Sequence, residues 1–479
     1  MFVVSREHRE HAVDKGRPNL ILILTDHWRG DSLGRLGHPV AETPHLDSLS
    51  AEGVTCTSAF TPSPSCIAAR RSLMTGTRPT THGMLGYQDG RPWPYTRTMA
   101  GELARAGYQT INIGKTHFHP PRLHLGFEEL VIPADYEEWA EKQTGLVRAK
   151  YAHGVHANSW MARASHLPEV QMEETWLTDE AMRHIVKRDP ERPFFLCLSF
   201  NGPHPPWCPP AAFFDLFMPK DIPPPIVGEW ADGHAEQARR PLDVNAWRGR
   251  VSDELNHRAR AGYYAYLAYL DAQIGRLCEF LGRRGMLRET FLLFTADHGE
   301  MLGDHNLWRK TYAYDPSARV PFILRPPASR PARRNVELDH LVGLEDIMPT
   351  LLDAAGVDVP ETVEGRSLLP LLTGDDVPWR ETYHHEHSPC YAPDSAYQCL
   401  TSREWKYVWN PITGHEQLFQ RREDPHEMCD VASDPANEKV LGELRLMLAK
   451  ELHGRPENLS DGETLIPGHV PVWRDPRDR

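Results

Sequence analysis

Polar, titratable side chains follow four apolar runs of the chain, at the point where each run ends. The runs and the residues after them are 20–25 with Asp26, 110–113 with Lys115 and His117, 194–200 with His204, and 291–295 with Asp297 and His298. A single acidic residue in such a place is most often a helix N-cap. Taken together they indicate one crevice, because ligands of open α/β sheets bind beyond the carboxyl ends of the strands.

These residue types favour a particular chemistry. Asp26, Asp297 and His298 offer carboxylate oxygens and one imidazole, a set that suits a hard divalent cation better than a thiolate-rich zinc site. Positive charge for an oxyanion is available from a second group, which comprises Arg70, Lys115, His117, His204 and Lys310. The two groups predict a phosphate or sulfate ester bound against a metal.

A cysteine lies in the segment PSPSCIAARRSLMTG, residues 62–76. Beside Arg70 and Arg71, Cys66 could be a thiolate nucleophile, a metal ligand or a small buried residue. Cys66 lies just ahead of a predicted helix that continues through Leu73, and a helix N-terminus favours an anion. The neighbouring residues alone leave these three interpretations open.

The apolar runs are almost continuously hydrophobic, which is typical of strands buried on both faces of a sheet. Helical patterns lie between them, at Met99–Arg105 before Gly107 and at Ala259–Arg284 before Gly285. Strands that alternate with helices predict an α/β fold. We expect a large, doubly wound, mixed β-sheet flanked by helices.

The pattern changes after Gly374, where short runs such as Trp405–Trp409 precede a helical segment near Glu438–Leu452. This change predicts a catalytic α/β domain over residues 1–375 and a smaller α+β subdomain on an antiparallel sheet over 376–479. The proline-rich stretch 203–241 is expected to be a surface excursion near the active face. An extended arm is expected over 463–479, and one hypothesis is that it exchanges between the chains of a homodimer or homotetramer.

Composition excludes some functions. With 40% hydrophobic and 25% charged residues, the 479-residue chain is typical of globular proteins. A formal charge of −13 argues against a general nucleic-acid or anionic-membrane binder. Apolar runs stay well short of the ~20 residues that span a bilayer, the N-terminus does not resemble a signal peptide, and the eight cysteines are scattered. We therefore expect reduced thiols, no membrane partner, no nucleic-acid partner and a cytoplasmic location.

Several segments, in order along the chain, resemble one known family. Cys66-Ile67-Ala68-Ala69-Arg70 with the downstream Thr75-Gly76 resembles the sulfatase signature, cysteine-x-proline/alanine-x-arginine. Other matching blocks are Thr25–Asp31, Thr43–Asp47, Gly114–His117, Pro203–Pro205, Thr295–Gly299, Arg309–Lys310 and Gln417–Glu427. Any single block is weak, whereas the combination over residues 18–436 is specific. The chain resembles the formylglycine-dependent sulfatases of the alkaline phosphatase-like superfamily.

The resemblance implies an arylsulfatase-like enzyme that cleaves a small organic sulfate ester. A maturation enzyme would oxidise Cys66 to formylglycine, whose hydrate is the nucleophile. The cofactor would be one divalent cation, Ca²⁺ first with Mg²⁺ or Mn²⁺ as alternatives. Its implied ligands are Asp26, modified Cys66, Asp297 and His298.

The resemblance also implies roles for the basic residues. Arg70 would hold the formylglycine hydrate, and Lys115 and Lys310 would bind the sulfate oxygens. His204 together with Lys310 would protonate the leaving alkoxide, while His117 would take a proton when the covalent intermediate collapses. The sequence departs from the family at His27, where many members have a second aspartate. His27 is then either a metal ligand or a residue that packs beside the metal.

Three other functions stay open. The first is a phosphonate monoester or phosphodiester hydrolase of the same superfamily, and the second is a two-zinc phosphatase or phosphomutase. The third is a non-catalytic binding protein in which Cys66 is never modified. Some further residues are expected to be structural or to line the crevice without binding metal: Trp160, Trp176, Trp207, Cys208, His305, Trp308, His384, His385 and His387.

Overall fold

The structure is a computed structural model that describes residues 16–236 and 245–471. Three expectations fall partly on other residues. The N-terminal segment 1–15, the end of the proline-rich stretch and residues 472–479 of the expected arm lie outside the described ranges.

The four apolar runs are strands, as predicted, and shorter strands join them. The strands are β1 Asn19–Thr25, β2 Val54–Cys56, β3 Ala59–Phe60, β4 Gln109–Gly114, β5 Glu129–Val131, β6 Phe194–Ser199, β7 Thr290–Ala296, β8 Phe322–Arg325, β9 Val336–Leu338, β10 Val342–Gly343, β11 Thr382–His387, β12 Tyr397–Ser402, β13 Trp405–Trp409 and β14 Glu416–Gln420. Every residue of β4, β6 and β7 is buried, which explains their continuous hydrophobicity.

Helices alternate with these strands. They are α1 Pro44–Ala51, α2 Cys66–Thr75, α3 Pro79–His82, α4 Met99–Arg105, α5 Pro133–Thr144, α6 Glu173–Lys187, α7 Ala211–Phe217, α8 Asp253–Arg283, α9 Asp315–Ala318, α10 Ile347–Ala354, α11 Leu369–Thr373 and α12 Glu438–Leu452. The predicted bounds of α4 and α12 are confirmed. The long helix α8 starts six residues earlier than predicted, because Ser252 caps the backbone N–H of Leu255. The proline-rich stretch is more ordered than expected, since it contains α7.

The large sheet has the strand order β5-β4-β6-β1-β7-β8-β2-β9. Its centre is parallel, because β1 pairs in parallel with both β6 and β7, and β4 pairs in parallel with β6. Strand β8 runs antiparallel to β7 and β2, so the sheet is mixed. Helices flank it, with α1, α6 and α7 packed against α8. The predicted mixed α/β fold is confirmed.

A separate sheet follows the large one. Strands β11, β12, β13 and β14 pair in chain order and antiparallel. Helix α12 packs on β12 and β13 through an apolar cluster that includes Leu444, Leu448 and Tyr407. In the described part of the expected arm, Gly468 donates its N–H to the carbonyl of Pro411 at 2.9 Å. The proposed domain boundary at residue 375 remains a prediction.

Among residues 16–236 and 245–471, no helix combines the length and the apolar character needed to cross a membrane.

Candidate active site

The sheet brings the predicted strand-end residues to one edge. Asp26 follows β1, Lys115 follows β4, and Asp297 and His298 come at the end of β7. Because β4, β6, β1 and β7 are neighbours in that order, their carboxyl ends meet, and all four side chains are buried or nearly so. The convergence that the sequence predicted is therefore present.

Cys66 lies at the centre of this group, as the first residue of α2, with 1% of its surface exposed. Its Sγ atom is 3.2 Å from Nε2 of His298, 3.5 Å from Oδ1 of Asp26 and 3.6 Å from Nζ of Lys310. Burial and Asp26 both act to raise the pKa of the thiol. Lys115, Lys310 and His298 outweigh them and hold the pKa of Cys66 well below its usual value.

Arg70, one helical turn after Cys66, connects three parts of the site. Its Nε donates to Oδ2 of Asp297 at 2.9 Å, and its Nη1 donates to the carbonyl of Lys115 at 2.7 Å and to Oγ of Ser199 at 2.8 Å. The remaining guanidinium nitrogen, Nη2, is buried and has no hydrogen-bond partner among the described residues. Arg70 therefore keeps one donor for a ligand.

Lys115 enters the site because β4 and β6 approach closely at its neighbour Gly114. A Cβ atom at position 114 would lie 2.0 Å from the carbonyl oxygen of Ser199, and Gly114 has a φ of +105°. Only glycine fits there. The Lys115 ammonium then bonds to Oδ2 of Asp26. Burial acts to lower the pKa of Lys115, but Asp26 and Cys66 raise it above its usual value, so the ammonium stays charged.

A cation fits the acidic side of this cluster. Asp26, His27, Cys66 and His298 each bring one potential ligand atom within 4.8 Å of the others. Nε2 of His298 is 3.3 Å from Oδ1 of Asp26 and 3.6 Å from Oδ1 of Asp297. That Asp297 oxygen is buried without a hydrogen-bond partner among the described residues. An orphaned carboxylate oxygen beside a second carboxylate is what a bound cation would satisfy.

The electrostatics of Asp297 point the same way. Burial and the adjacent Asp26 carboxylate raise the pKa of Asp297 to about 7, although His298 and Arg70 act to lower it. Two buried carboxylates with little room between them are costly when both are ionised. Of the residues predicted to hold a metal, Asp26, Cys66 and His298 form the 4.8 Å group together with His27, and Asp297 adjoins that group through His298 at 3.6 Å.

His204 and His117 lie on the basic side of the site. The His204 ring centroid is 4.5 Å from that of His27, and Nδ1 of His204 donates to the carbonyl of Pro205 at 2.8 Å. Burial, and then Lys310, lowers the pKa of His204 to about 3. Burial also lowers the pKa of His117, partly offset by its hydrogen bond with Cys66. Both imidazoles are neutral without a ligand.

Glu300 belongs to this cluster, although the sequence pattern assigned it no function. Glu300 is fully buried and its Oε2 lies 2.7 Å from Nδ1 of His27, whose Nε2 lies 2.7 Å from Nζ of Lys310. The sequence offered one signal, since Glu300 comes two residues after His298.

Several non-glycine residues of the site have left-handed backbone, with φ values of 68° at His27, 59° at His117, 72° at Arg309 and 82° at Thr311. Such strain is often found at functional sites.

The three histidines of β11 are mostly structural. His385 is buried in β11, where its ring stacks on Phe60 and its nitrogens bond to Tyr397 and Thr401. His384 bonds to Gln398. His387 is closest to the site, because His298 and Lys310 are among the charges that act on its pKa, which burial lowers to about 4. Its Nε2 is buried and unpartnered among the described residues.

The remaining singled-out residues are part of the packing. Trp160, Trp176, Trp207 and Trp308 belong to the main apolar core. Sγ of Cys208 lies 3.8 Å from Nε2 of His153, and burial raises the pKa of its thiol to about 11. Nδ1 of His305 accepts the backbone N–H of Gly228 at 3.2 Å. These contacts support the structural interpretation of all of them.

Acidic, basic and thiol side chains thus meet at the carboxyl edge of a mixed sheet, which is where open α/β sheets bind their ligands. The sulfatase family model matches residues 18–357, and this chain belongs to the sulfatase family. A second model, for the C-terminal part of N-sulphoglucosamine sulphohydrolase, matches residues 303–453. The protein is therefore a sulfuric ester hydrolase.

Similar proteins agree with this assignment. The chain is 37% identical to an arylsulfatase of Clostridium perfringens over 475 residues, which cover 95% of this chain and 98% of the relative. It is 30% identical to a choline-sulfatase of Rhizobium meliloti, over 88% of this chain and 83% of that one. Among solved structures, a phosphonate monoester hydrolase of Agrobacterium radiobacter superposes with a TM-score of 0.78 at 26% identity, covering 91% of this chain and 96% of that one.

Proposed function

We propose that this enzyme is arylsulfatase-like and cleaves a small organic sulfate monoester, with residue 66 as formylglycine and one divalent cation beside it. One observation carries the proposal. The Cys66 side chain stands between the carboxylate of Asp26 and the ammonium of Lys310, within 3.7 Å of both. A nucleophile at this position has a cation site on one side and donors for the sulfate oxygens on the other.

Formylglycine hydrate would supply a hydroxyl nucleophile, and the cation would neutralise charge on that hydroxyl and on the ester. Asp26, Asp297 and His298 would hold the cation. Their mostly oxygen donors favour Ca²⁺, with Mg²⁺ or Mn²⁺ as alternatives. Arg70 fixes Asp297 through its Nε and keeps its Nη2 donor for the group at position 66.

Lys115 and Lys310 would bind the sulfate oxygens. Both ammonium groups are buried and both have a raised pKa, caused by nearby acidic groups against the opposing effect of burial. They are therefore charged over the whole physiological pH range. Fixed charges in a site with little water stabilise a developing anion more strongly than they would in solvent.

The histidines would move protons. Nδ1 of His204 is committed to the carbonyl of Pro205, so Nε2 is the atom that can exchange a proton with the leaving oxygen. Burial and Lys310 keep that imidazole neutral. The negative charge of a bound ester acts in the opposite direction and favours the protonated form. We assign His204, with Lys310, to protonation of the leaving group, and His117 to proton removal at residue 66.

Hydrolysis of phosphonate monoesters is the alternative function that a specific observation supports. The similarity to a phosphonate monoester hydrolase extends over most of both chains. Lys115 and His117 crowd positive charge and a proton acceptor around one compact oxyanion, which favours sulfate over a diester that needs room for a second ester group. Turnover of an aryl sulfate and of an aryl phosphonate monoester should be compared on one preparation, and a large preference for the phosphonate would overturn the sulfatase proposal.

The nucleophile is tested by the mass of the tryptic peptide that ends at Arg70. We expect a peptide lighter than the thiol form by the difference between a thiol and an aldehyde. The same peptide contains Cys56, which serves as an internal control because it should remain a thiol. Fully active enzyme in which residue 66 is an unmodified thiol would contradict the mechanism.

The proposal requires a maturation enzyme as partner. Cys66 is 1% exposed and every residue of α2 is buried, so we propose that oxidation precedes folding. All eight cysteines are free, which supports a reducing compartment such as the cytoplasm. A homodimer or homotetramer that exchanges the C-terminal arm remains a hypothesis, and size-exclusion chromatography of a chain truncated near Asp461 would test it. An unchanged assembly would refute arm exchange.

A further inference from the structure

Three buried polar side chains form a row that ends at the Cys66 sulfur. Oε2 of Glu300 lies 2.7 Å from Nδ1 of His27, and Nε2 of His27 lies 2.7 Å from Nζ of Lys310. The same ammonium is 3.6 Å from Sγ of Cys66. Glu300 and His27 are 0% exposed and Lys310 is 6% exposed. Solvent therefore does not compete for these contacts.

The partners determine which nitrogen of His27 carries the proton. A carboxylate only accepts hydrogen bonds, so Nδ1 of His27 donates to Glu300. Nε2 then has a free lone pair, and it accepts a hydrogen bond from the Lys310 ammonium, which can only donate. His27 is thus a neutral bridge between an acceptor and a donor, and both of its nitrogens are occupied.

Glu300 also holds the backbone that carries Lys310. Its second oxygen, Oε1, accepts the N–H of Leu302 at 3.2 Å and the N–H of Arg309. Arg309 directly precedes Lys310 and has a φ of +72°, a conformation that needs support from its surroundings. One carboxylate therefore constrains both ends of Lys310, its main chain through Arg309 and its ammonium through His27.

We propose that Glu300 and His27 are positioning residues that aim the Lys310 ammonium at the reacting ester, and that His27 is not a metal ligand. This inference rests on the proposed function, in which Lys310 binds the ester oxygens and assists the leaving group. An ammonium has three N–H donors. One is used by His27 and one faces the side chain at position 66, so the third is left for the substrate. A flexible lysine held in this way loses little freedom when the ester binds.

The hydrogen bonds of His27 also bear on which residues hold the metal. Oδ1 of Asp297 has no hydrogen-bond partner among the described residues and lies 3.6 Å from Nε2 of His298. Nε2 of His27 lies 3.7 Å from Oδ1 of Asp26, but both nitrogens of His27 already have closer partners, Glu300 and Lys310. A cation held by Asp26, Asp297 and His298 leaves the row from Glu300 to Lys310 intact. Ligation through Nε2 of His27 would instead displace Lys310 and leave its ammonium with one partner fewer.

Substitution of His27 distinguishes a residue that positions Lys310 from a residue that binds the metal. His27→Gln can donate an amide N–H to Glu300 and accept from Lys310, whereas His27→Leu can do neither. We expect kcat/KM for an aryl sulfate to fall on the order of 10²-fold in His27→Leu and only about threefold in His27→Gln. Bound metal per chain, measured by plasma mass spectrometry, should be unchanged in both. Loss of the metal in His27→Leu would overturn the proposal.

Glu300→Gln is a second variant, useful if His27→Leu does not fold. Glutamine has a single acceptor oxygen, so its NH₂ group must face either His27 or the two backbone N–H groups. We expect kcat/KM to fall by about tenfold or more. Because Lys310 assists departure of the alcohol, the loss should grow with the basicity of the leaving phenol, giving a steeper leaving-group dependence than in wild type.

Glu345→Gln is the matched control. Glu345 is 2% exposed and accepts a hydrogen bond from the Tyr383 hydroxyl at 2.9 Å, away from the site. It should lower the melting temperature without changing the leaving-group dependence. If Glu300→Gln behaves like this control, the positioning role is wrong. If wild type hydrolyses aryl phosphonates but not aryl sulfates, the proposed function fails instead, and the same leaving-group series in phosphonate esters still tests the positioning role.

Discussion

Two buried clusters of charge in this molecule differ in how completely their groups are paired. One is the site around Cys66. The other joins the small sheet to α9, where the Lys406 ammonium bonds to the carboxylates of Asp315 and Glu427 and donates to the carbonyl of Ala313 at 3.1 Å. Lys406 is 0% exposed. All three of its N–H donors are used, so this cluster has no vacant position for a ligand.

The cluster around Cys66 contains buried donors and acceptors that other protein groups do not pair. Nη2 of Arg70, Nδ1 of His117 and Oδ1 of Asp297 are buried and have no hydrogen-bond partner within residues 16–236 and 245–471. Such atoms cost stability unless a ligand pairs with them. Since both clusters are buried and charged, buried charge alone does not identify an active site. Convergent charge with unpaired donors and acceptors does.

The largest expected effect is on the nucleophile. Cys66→Ala should reduce sulfatase activity by on the order of 10⁶-fold, because it removes the side chain from which the nucleophile is made. The circular dichroism spectrum should stay close to that of wild type, because alanine preserves α2, although the contacts of Sγ with His298 and Lys310 are lost. Substantial residual turnover after Cys66→Ala would mean that another residue is the nucleophile.

The fully paired cluster should respond through stability. Lys406→Met leaves Glu427 buried without its cation and leaves Asp315 paired with Arg319 at 3.1 Å, which costs about 3–5 kcal/mol in the free energy of unfolding. Urea denaturation would measure the loss. The folded fraction should keep a wild-type kcat/KM. A triple variant with Asp315→Asn and Glu427→Gln added should recover stability. A changed kcat/KM in the Lys406→Met variant would contradict a purely structural role for this cluster.

Lys115 is the matched buried lysine of the incomplete cluster. Lys115→Ala should lower kcat/KM for a sulfate ester by about 10²–10³-fold, because one fixed positive charge at the developing anion is lost. In metal-loaded enzyme the melting temperature should fall less than in Lys406→Met, since the cation still neutralises Asp26. If Lys115→Ala destabilises the protein as much as Lys406→Met and leaves kcat/KM unchanged, Lys115 is structural.

The smallest expected effect is the pH dependence of metal removal. The folded-state pKa of Asp297 is raised to about 7 by burial and Asp26, above its value in the unfolded chain. Stability of the metal-free protein should therefore fall as pH rises from about 4 to about 7. A bound cation removes this penalty, so the stability gap between loaded and chelated enzyme should widen by about 2–3 kcal/mol from pH 5 to pH 8. Thermal unfolding at both pH values measures the gap, and a constant gap would contradict a cation beside Asp297.

Much of this arrangement could be predicted from the sequence. Continuous hydrophobicity identified the strands that became β1, β4, β6 and β7, and their polar ends indicated the edge where a ligand binds. The spacing of apolar residues identified α8, although the Ser252 cap that starts it was not recognised. The short strands β2, β9 and β10 were not predicted, because two or three residues carry no usable periodicity and their pairing depends on distant partners.

The fold class, the family and the residue types at the carboxyl edge of the sheet can all be inferred from the sequence alone. These follow from hydrophobic pattern and from motifs, which are local properties of the chain. Only the tertiary structure decided what His27 contacts, because Glu300 and Lys310 are 273 and 283 residues away from it along the chain. A side chain between two groups so remote acquires its donor and acceptor roles from packing, and no local pattern records them.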